Sequence, residues 1–98
     1  MATWFSPIMI ARKFFIRGAV QGVGFRYFTQ RSAARHQVSG YVKNLPDGRV
    51  ETFAQGPEKS VEAFKHDLSA GPTYSRVEEL EEIVTEPDRM YSTFRIER

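Results

Sequence analysis

Apolar residues in this chain switch repeatedly between the period of a strand and that of a helix, and glycine and proline mark the switches. That order constrains the fold more than any other feature. Lys13 to Gly18 (KFFIRG) is aromatic and β-branched and stops at a glycine, so it reads as a strand. After a loop at Ala19–Gly24, the residues Phe25, Phe28, Thr29, Ala33 and His36 recur at spacings of 3, 1, 4 and 3. This is one face of a helix, with Arg26, Gln30, Arg31 and Arg35 mostly off it. Gly40 opens a second strand (GYVKN) and Arg49 to Gln55 (RVETFAQ) forms a third. Between them LPDG is a tight reversal, in which Pro46 presets φ and Asp47-Gly48 turns the chain. Strands two and three therefore form an antiparallel hairpin.

Pro57 stands where the first turn of a helix tolerates proline, and Val61, Phe64 and Leu68 recur at i, i+3 and i+7 until Gly71-Pro72. Arg76 to Thr85 (RVEELEEIVT) is divided evenly between two readings. Its apolar residues Val77, Leu80 and Ile83 lie three apart, as on a helix, yet an irregular strand fits as well. Glu86-Pro87-Asp88 is a break, and Thr93 to Glu97 (TFRIE) alternates like a strand. The order is β-α-β-β-α, then the divided segment, then a closing strand, and with the divided segment taken as a bulged strand it becomes the split βαβ arrangement, βαββαβ. That order is an α+β, ferredoxin-like α/β sandwich, in which an antiparallel sheet carries two helices on one face.

A chain of 98 residues has material for one core, and 41% hydrophobic with 27% charged residues is a globular mixture. The domain is expected over residues 12–98. Residues 1–11 (MATWFSPIMIA) are expected to be a flexible or surface-packed tail, because they are too short for a signal peptide or a membrane span and carry no basic leader. A cytoplasmic protein is the corresponding expectation. Without cysteine, disulfides, thiolate metal sites and a cysteine nucleophile are excluded. The net charge of +2 hides an asymmetry. Residues 1–49 hold eight Lys/Arg against one acid, a balance of +7, while residues 50–98 hold six against eleven, a balance of −5. A basic half points to an anionic partner: nucleic acid, a membrane surface or a small phosphate.

The run Gly18 to Arg26 (GAVQGVGFR) leaves a strand and enters a helix. Unpaired N–H groups at a helix start, assisted by the macrodipole, cradle an anion. Glycines permit the φ values and the close backbone approach that such a nest needs. Arg26 adds a planar charged fork that can hold two phosphoryl oxygens. Alone, the signal is weak, since it is neither a Walker A loop nor GxGxxG with a downstream ribose-binding acid.

The same run, followed by GYVKNLPDGRVE (Gly40 to Glu51), resembles the paired signature motifs of the acylphosphatase family. GPTYSRV after the second helix and the closing TFRI are similar to that family's C-terminal half, so the resemblance covers roughly residues 12–97. It implies the ferredoxin-like fold, which makes Arg76–Thr85 a strand. It also implies hydrolysis of small acyl phosphates without metal or organic cofactor. Gln21, Gly22, Val23, Gly24 and Phe25 match the family's phosphate-binding loop, Arg26 its substrate-binding arginine, and Asn44 the asparagine that positions the attacking water. Inorganic phosphate, sulfate or chloride is expected to fit the same loop. A monomer with no nucleic-acid or membrane partner completes the expectation.

Other residues promise less. His36 is expected to pack and His66 to be solvated, and no His pair has metal-ligand spacing. Glu78, Glu79, Glu81, Glu82, Glu86 and Asp88 read as a solvated face. Two alternatives compete. An RNA-recognition module shares the βαββαβ order, but its stacking aromatics are missing from RVETFAQ, which offers only Phe53. A catalytically silent or accessory acylphosphatase-like domain is opposed by the intact Arg26 and Asn44, and by a chain that reads as free-standing.

Overall fold

The computed structural model describes residues 8–98. Its elements are β1 (Met9–Ala19), α1 (Phe25–His36), β2 (Ser39–Asn44), β3 (Val50–Pro57), α2 (Glu58–Ala70), β4 (Arg76–Thr85) and β5 (Phe94–Glu97). The strands form one sheet in the order β4-β1-β3-β2-β5. The α+β ferredoxin-like class holds, with two differences. The closing strand expected at 93–97 forms as β5 at the sheet edge, but it runs parallel to β2, pairing Val42 with Ile96 and Lys43 with Glu97, so the sheet is mixed rather than antiparallel. β1 also begins earlier than expected. Met9, Ile10 and Ala11 pair with Pro57, Gly56 and Gln55, and Ala11 is fully buried, so these three belong to the sheet and not to a tail. Residues 1–7 of the expected tail lie outside the described residues.

Both helices cover the sheet face presented by Phe14 and Ile16 of β1, Val42 of β2, and Val50 and Ala54 of β3. Phe25 and Ala33 from α1 and Val61, Phe64 and Leu68 from α2 close this core. Complete burial of each large side chain contributes about 1.5–3 kcal/mol. The inner face of α1 is Phe25, Thr29, Ser32 and Ala33. Ser32 is thus buried, a place that apolar spacing could not assign to a hydroxyl. Its Oγ donates to Asp67 Oδ2 of α2 at 2.6 Å, and His36 and Arg35 meet the same oxygen at 3.0 and 2.9 Å. This cluster clamps the two helices together, which gives His36 the structural role expected of it.

The strand β4 explains its helix-like spacing. Its register against β1 shifts between Arg17 and Gly18, which face Glu79 and Val77, leaving Glu78 as an extra residue. A bulge reverses the alternation of faces beyond it. Val77 and Leu80, three apart, therefore both turn to the core. The acidic run is not wholly a solvated face: Glu82 is half-buried and binds Lys65 Nζ at 2.6 Å and Arg12 Nε at 3.2 Å.

The opposite sheet face is covered in its centre by the 86–93 segment. Gln55 Nε2 donates to the Asp88 and Tyr91 carbonyls, and Gln55 Oε1 accepts from the Asp88 amide at 2.6 Å. Tyr91 packs on Tyr41 and Phe53, each with ring centroids 5.6 Å away. This is why β3 is buried from Val50 to Gly56 without alternation. Tyr41 and Phe53 retain only 8% and 5% exposure, so they are not available to stack on bases.

Candidate active site

The turn from β1 into α1 sets the site. Gly22 and Gly24 have φ of 75° and 76°, and a Cβ on either would meet nothing within 4 Å. The backbone conformation requires glycine, while the space above it stays open. The first helical bond closes from the Phe28 amide to the Gly24 carbonyl at 3.0 Å. The amides of Phe25, Arg26 and Tyr27 therefore precede any intrahelical partner. Gly24 supplies no side-chain cap, and no acidic residue lies in the first turn. The positive end of the macrodipole is left uncompensated by the chain itself.

Arg26 is half-buried beside these amides, and its Nη1 donates to the Glu97 carbonyl at 3.0 Å. Among the described residues it meets no carboxylate, whereas Arg12, Arg17, Arg35 and Arg49 each pair with one. The guanidinium is thus oriented without being neutralised. Across the cavity, Asn44 ends β2 opposite Val50. Its Oδ1 is buried and has no hydrogen-bond partner. A buried carbonyl oxygen left so demands a donor, and water is the donor a polar cavity admits.

Gly22, Gly24, Phe25, Arg26 and Asn44 together line a cavity of about 210 Å³. Phe25 offers only its backbone there, because its ring is in the core. Gln21 and Val23 stand apart from the lining. Val23 packs against the core. Gln21 turns to the hairpin, where Nε2 donates to the Leu45 and Arg49 carbonyls at 2.8 and 2.9 Å. It thereby ties the glycine turn to the residue after Asn44. The hairpin turn is itself braced by Asp47, whose oxygens accept from the Arg49 amide and Nε at 3.1 and 2.8 Å. These bonds hold the Asp47 carboxyl below its ordinary range.

Three further residues complete the lining: Val20, Tyr27 and Ile96. Tyr27 adjoins the motif in the first helical turn, so its place could have been read from helix geometry. Ile96 could not, since only the parallel docking of β5 on β2 brings it beside Asn44. A wider groove of about 830 Å³ lies between α1 and the 92–94 segment. It contains one cation, Arg31, and no orphaned buried polar atom. Among the described residues no cluster of His, Asp and Glu could hold a metal ion, and no helix is long and apolar enough to cross a membrane.

Known proteins resemble this chain along nearly its whole length. A family profile described as Acylphosphatase matches residues 12–96. An acylphosphatase of Actinobacillus succinogenes is 46% identical over 90 residues, which span 92% of this chain and 100% of that protein. One from Thermus thermophilus is 52% identical over 66 residues, 67% of this chain and 75% of the relative. The crystal structure of acylphosphatase from Bacillus subtilis superposes with a TM-score of 0.87 at 35% identity, covering 91% of this chain and 99% of that one. Full-length HypF in its phosphate- and nucleotide-bound form gives a TM-score of 0.83 at 30% identity, over 94% of this chain and 12% of its own length.

Proposed function

The chain belongs to the acylphosphatase family and hydrolyses acyl phosphates, and from that premise we propose how its own residues divide the work. The phosphoryl group sits on the amides of the turn at residues 21–25, with Arg26 across its oxygens. Asn44 holds the attacking water. One observation carries this reading: an arginine without a carboxylate partner among the described residues, fixed by the Glu97 carbonyl, lies at an acid-free helix start and lines the same cavity as Asn44, whose buried Oδ1 has no hydrogen-bond partner.

The chemistry asks for little more. In RCO–O–PO₃²⁻ the leaving group is a carboxylate with a pKa of about 4, so it departs without a general acid. The water oxygen forms a bond to phosphorus as the bond from phosphorus to the bridging oxygen breaks, and the electron pair leaves on the carboxylate. Asn44 Oδ1 accepts one hydrogen bond from that water and turns a lone pair toward phosphorus. The water's proton passes to a phosphoryl oxygen, since among the described residues no carboxylate or histidine lines the cavity to take it. The transition state is loose and anionic. Positioning and fixed positive charge from the amides and Arg26 are therefore what lower its energy.

In this division of labour Gln21 and Val23 offer the phosphoryl group only their backbone. Gln21 is a positioning residue that fixes the distance between the cradle and Asn44 through its bonds to the Leu45 and Arg49 carbonyls. A monomer is the working unit in this reading. The reading keeps the localisation drawn from the sequence, the cytoplasm. Benzoyl phosphate hydrolysis in the presence of inorganic phosphate tests it. Competitive inhibition by phosphate is expected, and inhibition that leaves KM unchanged would show that phosphate does not share the substrate's site.

A further inference from the structure

The cavity that holds the phosphoryl group has a second wall with a different character. Tyr27 and Ile96 line it and yet stay 60% and 38% exposed, so both stand at its rim. Exposed side chains of this size cost apolar hydration that a ligand can relieve. The Tyr27 ring is held in place, because the Arg31 guanidinium four residues along the helix lies over it at 5.6 Å from the centroid. Ile96 is held by the pairing of β5 with β2, one residue before the carbonyl that fixes Arg26.

Size decides what reaches this wall. At ~30 Å³ for a water-sized group, about 210 Å³ accommodates a phosphoryl group, its bridging oxygen and the attacking water with little to spare. In this reading the acyl end extends from the phosphoryl group toward the rim. Among the described residues no acid lines the cavity, and its one cation is Arg26, which the catalytic reading places on the phosphoryl group. What remains for the acyl end is a tyrosine ring and a branched aliphatic side chain.

Resting on the catalytic reading above, we propose that Tyr27 and Ile96 form an acyl subsite that favours aromatic acyl phosphates over short aliphatic ones. Benzoate and acetate leave with similar ease, both having pKa values of about 4–5, so a preference between their phosphates reports contact rather than leaving-group chemistry.

The test is the ratio of kcat/KM for benzoyl phosphate to that for acetyl phosphate, measured on the full chain. Wild type is expected to favour benzoyl phosphate. Tyr27→Ala should lower the ratio by about 3- to 10-fold, the range of one lost aromatic contact. Ile96→Ala should lower it by about 2- to 5-fold, while Tyr27→Phe keeps it within about twofold because the ring is retained. Equal losses on both substrates, or a ratio unmoved in both alanine variants, overturns the subsite while leaving the catalytic assignment intact. Wild-type protein that hydrolyses neither substrate overturns the catalytic assignment itself, and the subsite with it.

Discussion

Replacing Arg26 by alanine separates catalysis from folding by the size of the two effects. Structurally the side chain makes one hydrogen bond, from Nη1 to the Glu97 carbonyl. A bond from a charged donor contributes about 1.5–3 kcal/mol. For a domain of this size that lowers Tm by roughly 6–24 °C at 4–8 °C per kcal/mol. Catalytically the loss is of another order. The guanidinium meets no carboxylate among the described residues, so its full charge is available to the phosphoryl oxygens. Transition-state arginines in phosphoryl transfer are worth about 10³–10⁵ in rate, which is about 4–7 kcal/mol at 1.36 kcal/mol per decade. Steady-state hydrolysis of benzoyl phosphate, at a temperature where circular dichroism shows the variant folded, should therefore give kcat/KM lower by that factor. Arg26→Lys should fall between, since an ammonium supplies charge without the two-pronged fork. Folded Arg26→Ala retaining more than about a tenth of wild-type kcat/KM would refute the assignment, because a peripheral surface arginine costs no more than that.

Asn44→Ala should lower kcat by about 10²–10³, as for other single positioning groups. Removing its unpartnered buried Oδ1 should leave the urea midpoint unchanged or slightly raised, and a clear fall in the midpoint would assign Asn44 to structure instead. Gly40→Ala attacks the sheet. Gly40 has φ of 146°, and a Cβ there would stand 1.8 Å from the Phe53 carbonyl oxygen on the central strand. A loss of at least ~3 kcal/mol and a Tm fall beyond about 12 °C are expected by calorimetry, and a shift under about 5 °C would contradict the packing described. Burial alone would raise the Asp67 carboxyl, but the Ser32 and His36 hydrogen bonds and the charges of His36 and Arg35 outweigh it and hold the group below its ordinary range. A folded-state pKa depressed in this way stabilises above the unfolded value of about 4 and loses that contribution as pH falls toward the folded one. Asp67→Asn should therefore cost about 1–3 kcal/mol near neutrality, with the gap to wild type closing in urea titrations below about pH 4. A gap constant across that range would show that the charge of Asp67 does not link the helices.

The turn of open amides ahead of α1 was legible because its geometry is local. Two glycines in a strand-to-helix turn, with an arginine in the first helical turn, specify open amides and a fixed cation from chain connectivity alone. The strand character of Arg76–Thr85 was not legible from spacing. The bulge at Glu78 shifts the face parity and imitates a helical period, and a bulge exists only against a partner strand. Gln21 was read as part of the cradle, whereas its side chain turns away to the hairpin carbonyls. A side chain's direction there depends on a turn more than twenty residues distant.

By itself the sequence determined the order of every element except Arg76–Thr85, the turn of open amides before Arg26, and the hairpin that carries Asn44. These follow from residue-level preferences for φ, burial and hydrogen bonding that act over a few positions. Tertiary structure alone decided that β5 docks parallel to β2, that Ile96 and the Glu97 carbonyl therefore reach the cavity, and that the 86–93 segment buries Tyr41 and Phe53 on the opposite face. The physical reason is range. An edge strand finds its partner through backbone groups that are alike in every residue, so only the assembled sheet selects which edge remains to be paired.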